Sequence, residues 1–148
     1  MSITDEHKKR VIDVVTEKQL SSIMNNTKWE RLQSAVLNTL SFPPPYQAKY
    51  VLNEVPSPEH FENDVWYHGD WIEGLIPFYA VEWIRVRPRY LRHQGKLLKP
   101  EVIDISKEFL SILRDLRIPY RLDNDSYFIY GYIADPGQLI LGNSPSNS

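Results

Sequence analysis

FYAVEWIRVR, residues 78–87, carries aromatic and β-branched side chains up to Pro88 and reads as the best strand in the chain. Period two puts Tyr79, Val81, Trp83, Arg85 and Arg87 on one side and Glu82, Ile84 and Val86 on the other. Upstream, Gln47–Leu52 predicts a short strand, and Val65–Ile76, broken at Gly69 and Gly74, suits a hairpin or an irregular strand pair. Downstream, Pro100 stands where a first helical turn accepts proline. Val102, Ile105, Phe109, Ile112, Leu113 and Leu116 trace an apolar helical face that Pro119 stops. A closing hairpin runs from Tyr120–Leu122 through a turn over residues 123–126 to Tyr127–Ile133.

Two helices precede these strands. Thr4–Met24 carries Val11, Ile12, Val15, Leu20 and Ile23 on one face, with Thr4 as a cap. Lys28–Leu40 starts from a capping box, Thr27 with Glu30, and ends before Pro43–Pro45. Strands and helices do not alternate, so the expectation is α+β: an antiparallel sheet of four to six strands with helices packed on one face, in the order α-α-β-β-β-α-β-β. The helix within residues 1–26 reads as an appendage, 27–134 as a single α+β domain and 135–148 as a flexible tail.

The chain has 148 residues, no cysteine, and 17 basic against 19 acidic side chains. Disulfides, a cysteine-based zinc site and a cysteine nucleophile are excluded. No apolar run approaches the roughly 18 residues of a membrane helix, and the opening residues are unlike a signal peptide, so the sequence reads as cytoplasmic with no membrane partner. The net charge of −2 conceals a segregation. Residues 50–84 contain Glu54, Glu59, Glu62, Asp64, Asp70, Glu73 and Glu82 and no Lys or Arg. Residues 85–99 contain Arg85, Arg87, Arg89, Arg92, Lys96 and Lys99 and no acid. Such blocks commonly pair with each other or solvate a face. Alternatively, an acidic surface interleaved with aromatic anchors covers a basic partner site, steering encounter through complementary fields. Glu62, Asp64, Asp70 and Glu73 are the candidates for steering, and Trp66, Tyr67 and Trp71 the candidates for anchoring.

Other chemistries have weaker support. His60, Glu62, Asp64, His68 and Asp70 offer imidazole and carboxylate ligands or a general base, but their spacing matches no helical two-histidine motif. No phosphate-binding glycine loop and no GxSxG is present, and no cofactor or metal is expected. Arg85, Arg87 and Arg89 beside aromatics could clamp single-stranded nucleic acid, but a pI of about 6.1 argues against it. Pro43-Pro44-Pro45-Tyr46 fits the PPxY pattern read by WW domains, and equally a plain connector.

Met24-Asn25-Asn26-Thr27-Lys28-Trp29, Gly69-Asp70-Trp71, Val81-Glu82-Trp83-Ile84 with Arg87-Pro88-Arg89-Tyr90, and Tyr127-Phe128-Ile129-Tyr130-Gly131-Tyr132 resemble a family of small, uncharacterised bacterial proteins carrying a domain of unknown function, over about residues 24–133. The resemblance implies bacterial origin, a cytoplasmic location and a single domain, and it brings no catalytic residues. Small, acidic-faced, cysteine-free α+β chains also look like the immunity proteins that accompany bacterial toxins. The function expected from the sequence is therefore non-enzymatic: a protein-binding module, an immunity protein or antitoxin that neutralises a toxin such as a nuclease. The alternatives are an enzyme or metal- or small-ligand-binding protein using His60–Asp70, and nucleic-acid binding through the three arginines.

Overall fold

The computed structural model describes residues 3–140. It contains α1 (Ile3–Glu17), β1 (Ser21–Ser22), α2 (Asn26–Thr39), β2 (Tyr46–Tyr50), β3 (Val81–Val86), β4 (Arg89–Arg92), β5 (Glu101–Asp104), α3 (Ser106–Asp115), β6 (Arg121–Asp123), β7 (Ser126–Tyr130) and β8 (Tyr132–Ile133). The fold is α+β, built on a four-stranded antiparallel sheet ordered β2-β3-β7-β6, with β1-β8 and β4-β5 as two-stranded additions.

The stretch 78–87 sits at the centre of this arrangement. Its first turn, Phe78–Ala80, is 3-10 helical, and β3 then pairs with β2 on one side and β7 on the other. Alternation sends Ile84 and Val86 to one face. There they join Ala48 from β2, Tyr127 and Ile129 from β7, and the buried stripes of α2 (Trp29, Leu32, Val36) and α3 (Phe109, Ile112, Leu113) in one core. The opposite face carries two cross-strand rows, Lys49–Trp83–Tyr130 and Gln47–Arg85–Phe128–Arg121. Helix α1 buries Val11 against Val51 and Ala80 in a second, smaller cluster, and His7 Nδ1 meets the Tyr79 hydroxyl at 2.7 Å.

Several expectations change in detail. Helix α1 stops at Glu17, because Gln19 takes a positive φ and the chain leaves to form β1. The cap of α2 is Asn25, whose side chain accepts from Lys28 N at 2.8 Å, so the helix starts before the expected Thr27 box. Val65–Ile76 contains no strand. The region after Pro100 first forms β5, and α3 begins only at Ser106, whose amide donates to Asp104 Oδ1. Helical spacing misleads here because Val102 lies in β5, where the antiparallel partner β4 offers more than an isolated turn could. Residues 135–140, expected in the tail, form a 3-10 turn and a bridge from Ile140 to Tyr120; the rest of that tail, 141–148, lies outside the described residues.

Candidate functional site

Residues 51–77 connect β2 to the turn before β3 without regular secondary structure. Loops longer than about 12–15 residues in a compact fold are uncommon and usually functional or disordered. This one is ordered by its own buried residues. Phe61, Trp71 and Leu75 are all within 1% of complete burial. The three prolines at 43–45 lack amide hydrogens, so only their carbonyls can bond. Pro43 O accepts from Gly69 N, Pro44 O from Trp71 Nε1 at 2.7 Å, and Pro45 O from Arg87 N. Gly69 is required there, since a Cβ would stand 2.3 Å from the Pro44 oxygen. The PPxY segment is thus a strip of acceptors spent on the chain itself.

Further bonds complete the attachment. Gln33 of α2 donates to the Trp71 and Ile72 carbonyls, the Tyr46 hydroxyl donates to the Asp70 carbonyl, and the Tyr50 hydroxyl donates to the Gly74 carbonyl at 2.5 Å. Burial pushes the Tyr46 phenol well above its ordinary pKa, helped by the neighbouring Tyr50 and the negative Asp70. Tyr50 moves the same way, for burial first and Asp70 second.

The seven candidate residues divide by what they touch. Trp71, expected as a surface anchor, is 1% exposed and belongs to the core, packing edge-on against Tyr46 and Phe109. Asp64 is consumed by an internal clamp: its Oδ1 takes Arg87 Nη2 at 3.0 Å and Arg89 Nε at 2.6 Å. Burial alone would raise the Asp64 pKa, but these two hydrogen bonds and charges outweigh it and hold the carboxyl below its usual value. Asp70 is exposed, yet its carboxylate accepts from the amides of Glu73 and Ile72, which lowers its pKa and shapes the turn. Glu62, Trp66, Tyr67 and Glu73 remain on the surface.

Those four are not brought into one cluster. Residues 64–68 run beside β4: Val65 O accepts from Leu91 N, Trp66 stacks on His93 at 4.0 Å, and His68 packs against Tyr90 and Phe42. The exposed tryptophan therefore lies against the basic block. Residues 70–76 instead follow α2 and present Ile72 and Ile76, 59% and 60% exposed, on either side of Glu73. These two isoleucines did not stand out in the sequence, because an apolar residue in a strand-like stretch reads as core. Only the finding that the stretch is a loop turns them outward.

The alternative chemistries fare differently. His68 and Asp64 are engaged as above, and among the described residues no group of three or more His, Asp or Glu is placed to hold a metal ion. Arg87 and Arg89 are tied to Asp64, leaving Arg85, which donates to Ser126 Oγ and lies 5.6 Å from the Phe128 ring centre, as the one of the three without a carboxylate partner among the described residues. The Met24–Trp29 segment lines a cleft of about 450 Å³ together with Phe78, Tyr79 and Tyr132. No helix among the described residues is long and apolar enough to cross a membrane.

No curated protein and no solved structure matches the chain. The model of DUF6678, a family of unknown function, matches residues 11–136, from within α1 to the closing 3-10 turn. The span exceeds the expected 24–133 at its start by much of α1, and it takes in the clamp, the loop and every strand of the central sheet. On this match the chain belongs to the DUF6678 family of unknown function.

Proposed function

We propose that this chain is a non-enzymatic protein-binding module of the bacterial cytoplasm, an immunity protein or antitoxin that covers a basic surface of a cognate toxin. The observation that carries the reading is the loop 51–77. It is fixed to the body by Phe61, Trp71, Leu75 and the proline carbonyls, while it exposes Ile72 and Ile76 beside Glu73, and Trp66 and Tyr67 beyond Glu62. A recognition surface that is already ordered avoids the entropy cost of ordering side chains and loops on association. Exposed apolar side chains give anchors, and the acids around them accelerate encounter with a cationic partner. Within this reading, Glu62 and Glu73 steer, Trp66, Tyr67, Ile72 and Ile76 anchor, and Asp64, Asp70 and Trp71 position the loop.

The test is purification of the tagged full chain from its own host at low salt. The expected result is a stoichiometric basic protein whose association rate falls at least tenfold, with a flattened salt dependence, on Glu62→Lys with Glu73→Lys. Expression of that partner alone should arrest growth, and co-expression of the chain should relieve it. A partner bound at an unchanged rate by the double variant would remove the acidic surface from the account, and a harmless partner would remove the toxin.

A further inference from the structure

The hairpin β4–β5 ends in a tip, HQGKLLKP at residues 93–100, in which every side chain is exposed. Leu97 is 99% exposed and Leu98 62%, at the apex of the turn. The tip has a defined shape: Gln94 Nε2 donates to the Lys99 carbonyl at 3.0 Å, and Gly95 holds a φ of +135°, which L side chains rarely adopt. Lys96 and Lys99 flank the two leucines, and neither has a carboxylate partner among the described residues. Arg92, lower on the hairpin, is already paired with Glu101. Trp66 stacks on His93 where β4 passes into the tip, and remains 48% exposed.

We infer that this tip is a reversible anchor for an anionic lipid surface. Two adjacent exposed leucines in a turn, with a lysine on each side, match a bilayer interface: apolar side chains enter the acyl boundary while ammonium groups stay with the headgroup phosphates. Trp66, stacked on His93 at the start of the tip, is an aromatic of the kind enriched at membrane interfaces. A protein partner fits the tip less well. Stable protein interfaces take about 800 Å² from each side, far more than a single turn supplies, whereas interfacial insertion needs only a few residues. No helix among the described residues is long and apolar enough to cross a membrane, and the contact inferred is peripheral. A single anchor of this size gives weak binding that salt weakens further.

The experiment is co-sedimentation of the full chain with vesicles of phosphatidylcholine alone and of phosphatidylcholine with about one third phosphatidylglycerol, a surface of the charge that attracts basic segments. Binding is expected to the anionic vesicles only, falling with added salt, with a blue shift of tryptophan emission that Trp66→Phe removes. Leu97→Ser with Leu98→Ser should reduce partitioning at least tenfold, and Lys96→Glu with Lys99→Glu should bring it to the phosphatidylcholine level, both with unchanged thermal melting. No sedimentation at low salt, or serine variants that bind as well as the parent, would overturn the inference. Loss of protein-partner capture in the serine variants without vesicle binding in the parent would assign the tip to a protein instead. Capture of a partner by the acidic loop is read separately with the Glu62 and Glu73 variants, so either idea can fail alone.

Discussion

Asp64→Asn is the substitution whose consequences the structure constrains most tightly. The carboxylate joins the acidic loop to the strand after β3, accepting from Arg87, whose side chain is 4% exposed, and from Arg89. Arg87 Nε is buried and has no hydrogen-bond partner, so this guanidinium depends heavily on Asp64 for compensation. Removing one partner of a fully buried pair costs about 3–5 kcal/mol, and a single hydrogen bond to a charged group about 1.5–3 kcal/mol. Because the Asp64 side chain is 21% exposed and asparagine keeps one acceptor, the expected loss is at the lower end, about 2–3 kcal/mol. For a chain of this size that is roughly 6–10 °C in melting temperature. The pH dependence supplies a second check. Asp64 is held below its ordinary pKa, so its contribution is complete above the unfolded carboxylate value, near about 4, and is lost as pH falls through the lower folded value. Urea unfolding of parent and variant should therefore differ at neutral pH and converge in acid. Trp66 should report the local effect, since freeing residues 64–68 from β4 unstacks it from His93 and changes its emission. A neutral-pH difference below about 0.5 kcal/mol, the range of ordinary surface substitutions, would refute the clamp, as would a difference that persists undiminished in strong acid.

Two further perturbations follow from the packing. Gly131→Ala places a Cβ 2.2 Å from the Val81 carbonyl oxygen, a backbone atom that cannot swing aside, at a residue that also accepts from Ile23 N and donates to Glu82 O; a loss of about 2 kcal/mol or more is expected in urea unfolding, with the β1–β8 pair exchanging its amides faster. Tyr46, Tyr50, Tyr127 and Tyr132 all have pKa values raised chiefly by burial, so the stability they contribute is complete below about pH 10 and declines as pH rises toward their folded values; phenolate absorbance should appear together with unfolding, and a noncooperative titration of all nine tyrosines in the folded chain would contradict their placement.

The central sheet was legible because its signals are local. Alternation holds over 83–86, and Pro88 and the 123–126 turn punctuate the strands; it fails at Phe78–Ala80, which is 3-10 helical, and after Tyr130, where β8 leaves the central sheet to pair with β1. The two misread stretches fail for physical reasons. Val102 and Ile105 sit at helical spacing from Phe109, but β5 exists only because β4, nine residues earlier, supplies hydrogen-bond partners such as Arg92 for Glu101, which no local pattern encodes. Likewise Trp71 looked like a surface residue because its neighbours Asp70 and Glu73 are acidic. Its indole bonds the Pro44 carbonyl, 27 residues away, a contact invisible along the chain.

The charge blocks acquire a different meaning once their partners are known. Between the two blocks Asp64 pairs with Arg87 and Arg89, while Glu82 and Arg92 pair with Lys49 and Glu101, which lie just outside the blocks. The pairing reading of the segregated sequence therefore accounts for Asp64, Arg87 and Arg89. It does not account for Glu62 and Glu73 in the loop or for Lys96 and Lys99 at the hairpin tip, which have no ion-pair partner among the described residues. Near the first set Ile72 and Ile76 are exposed, and between the second lie Leu97 and Leu98, the most exposed pair of adjacent large apolar side chains among the described residues. Unspent charge and unspent apolar surface coincide at two separate places of opposite sign. The proposed cationic partner at the loop and the proposed anionic surface at the tip both rest on that coincidence, and Asp64, through Arg87 and Arg89, ties the loop to the start of the hairpin that carries the tip.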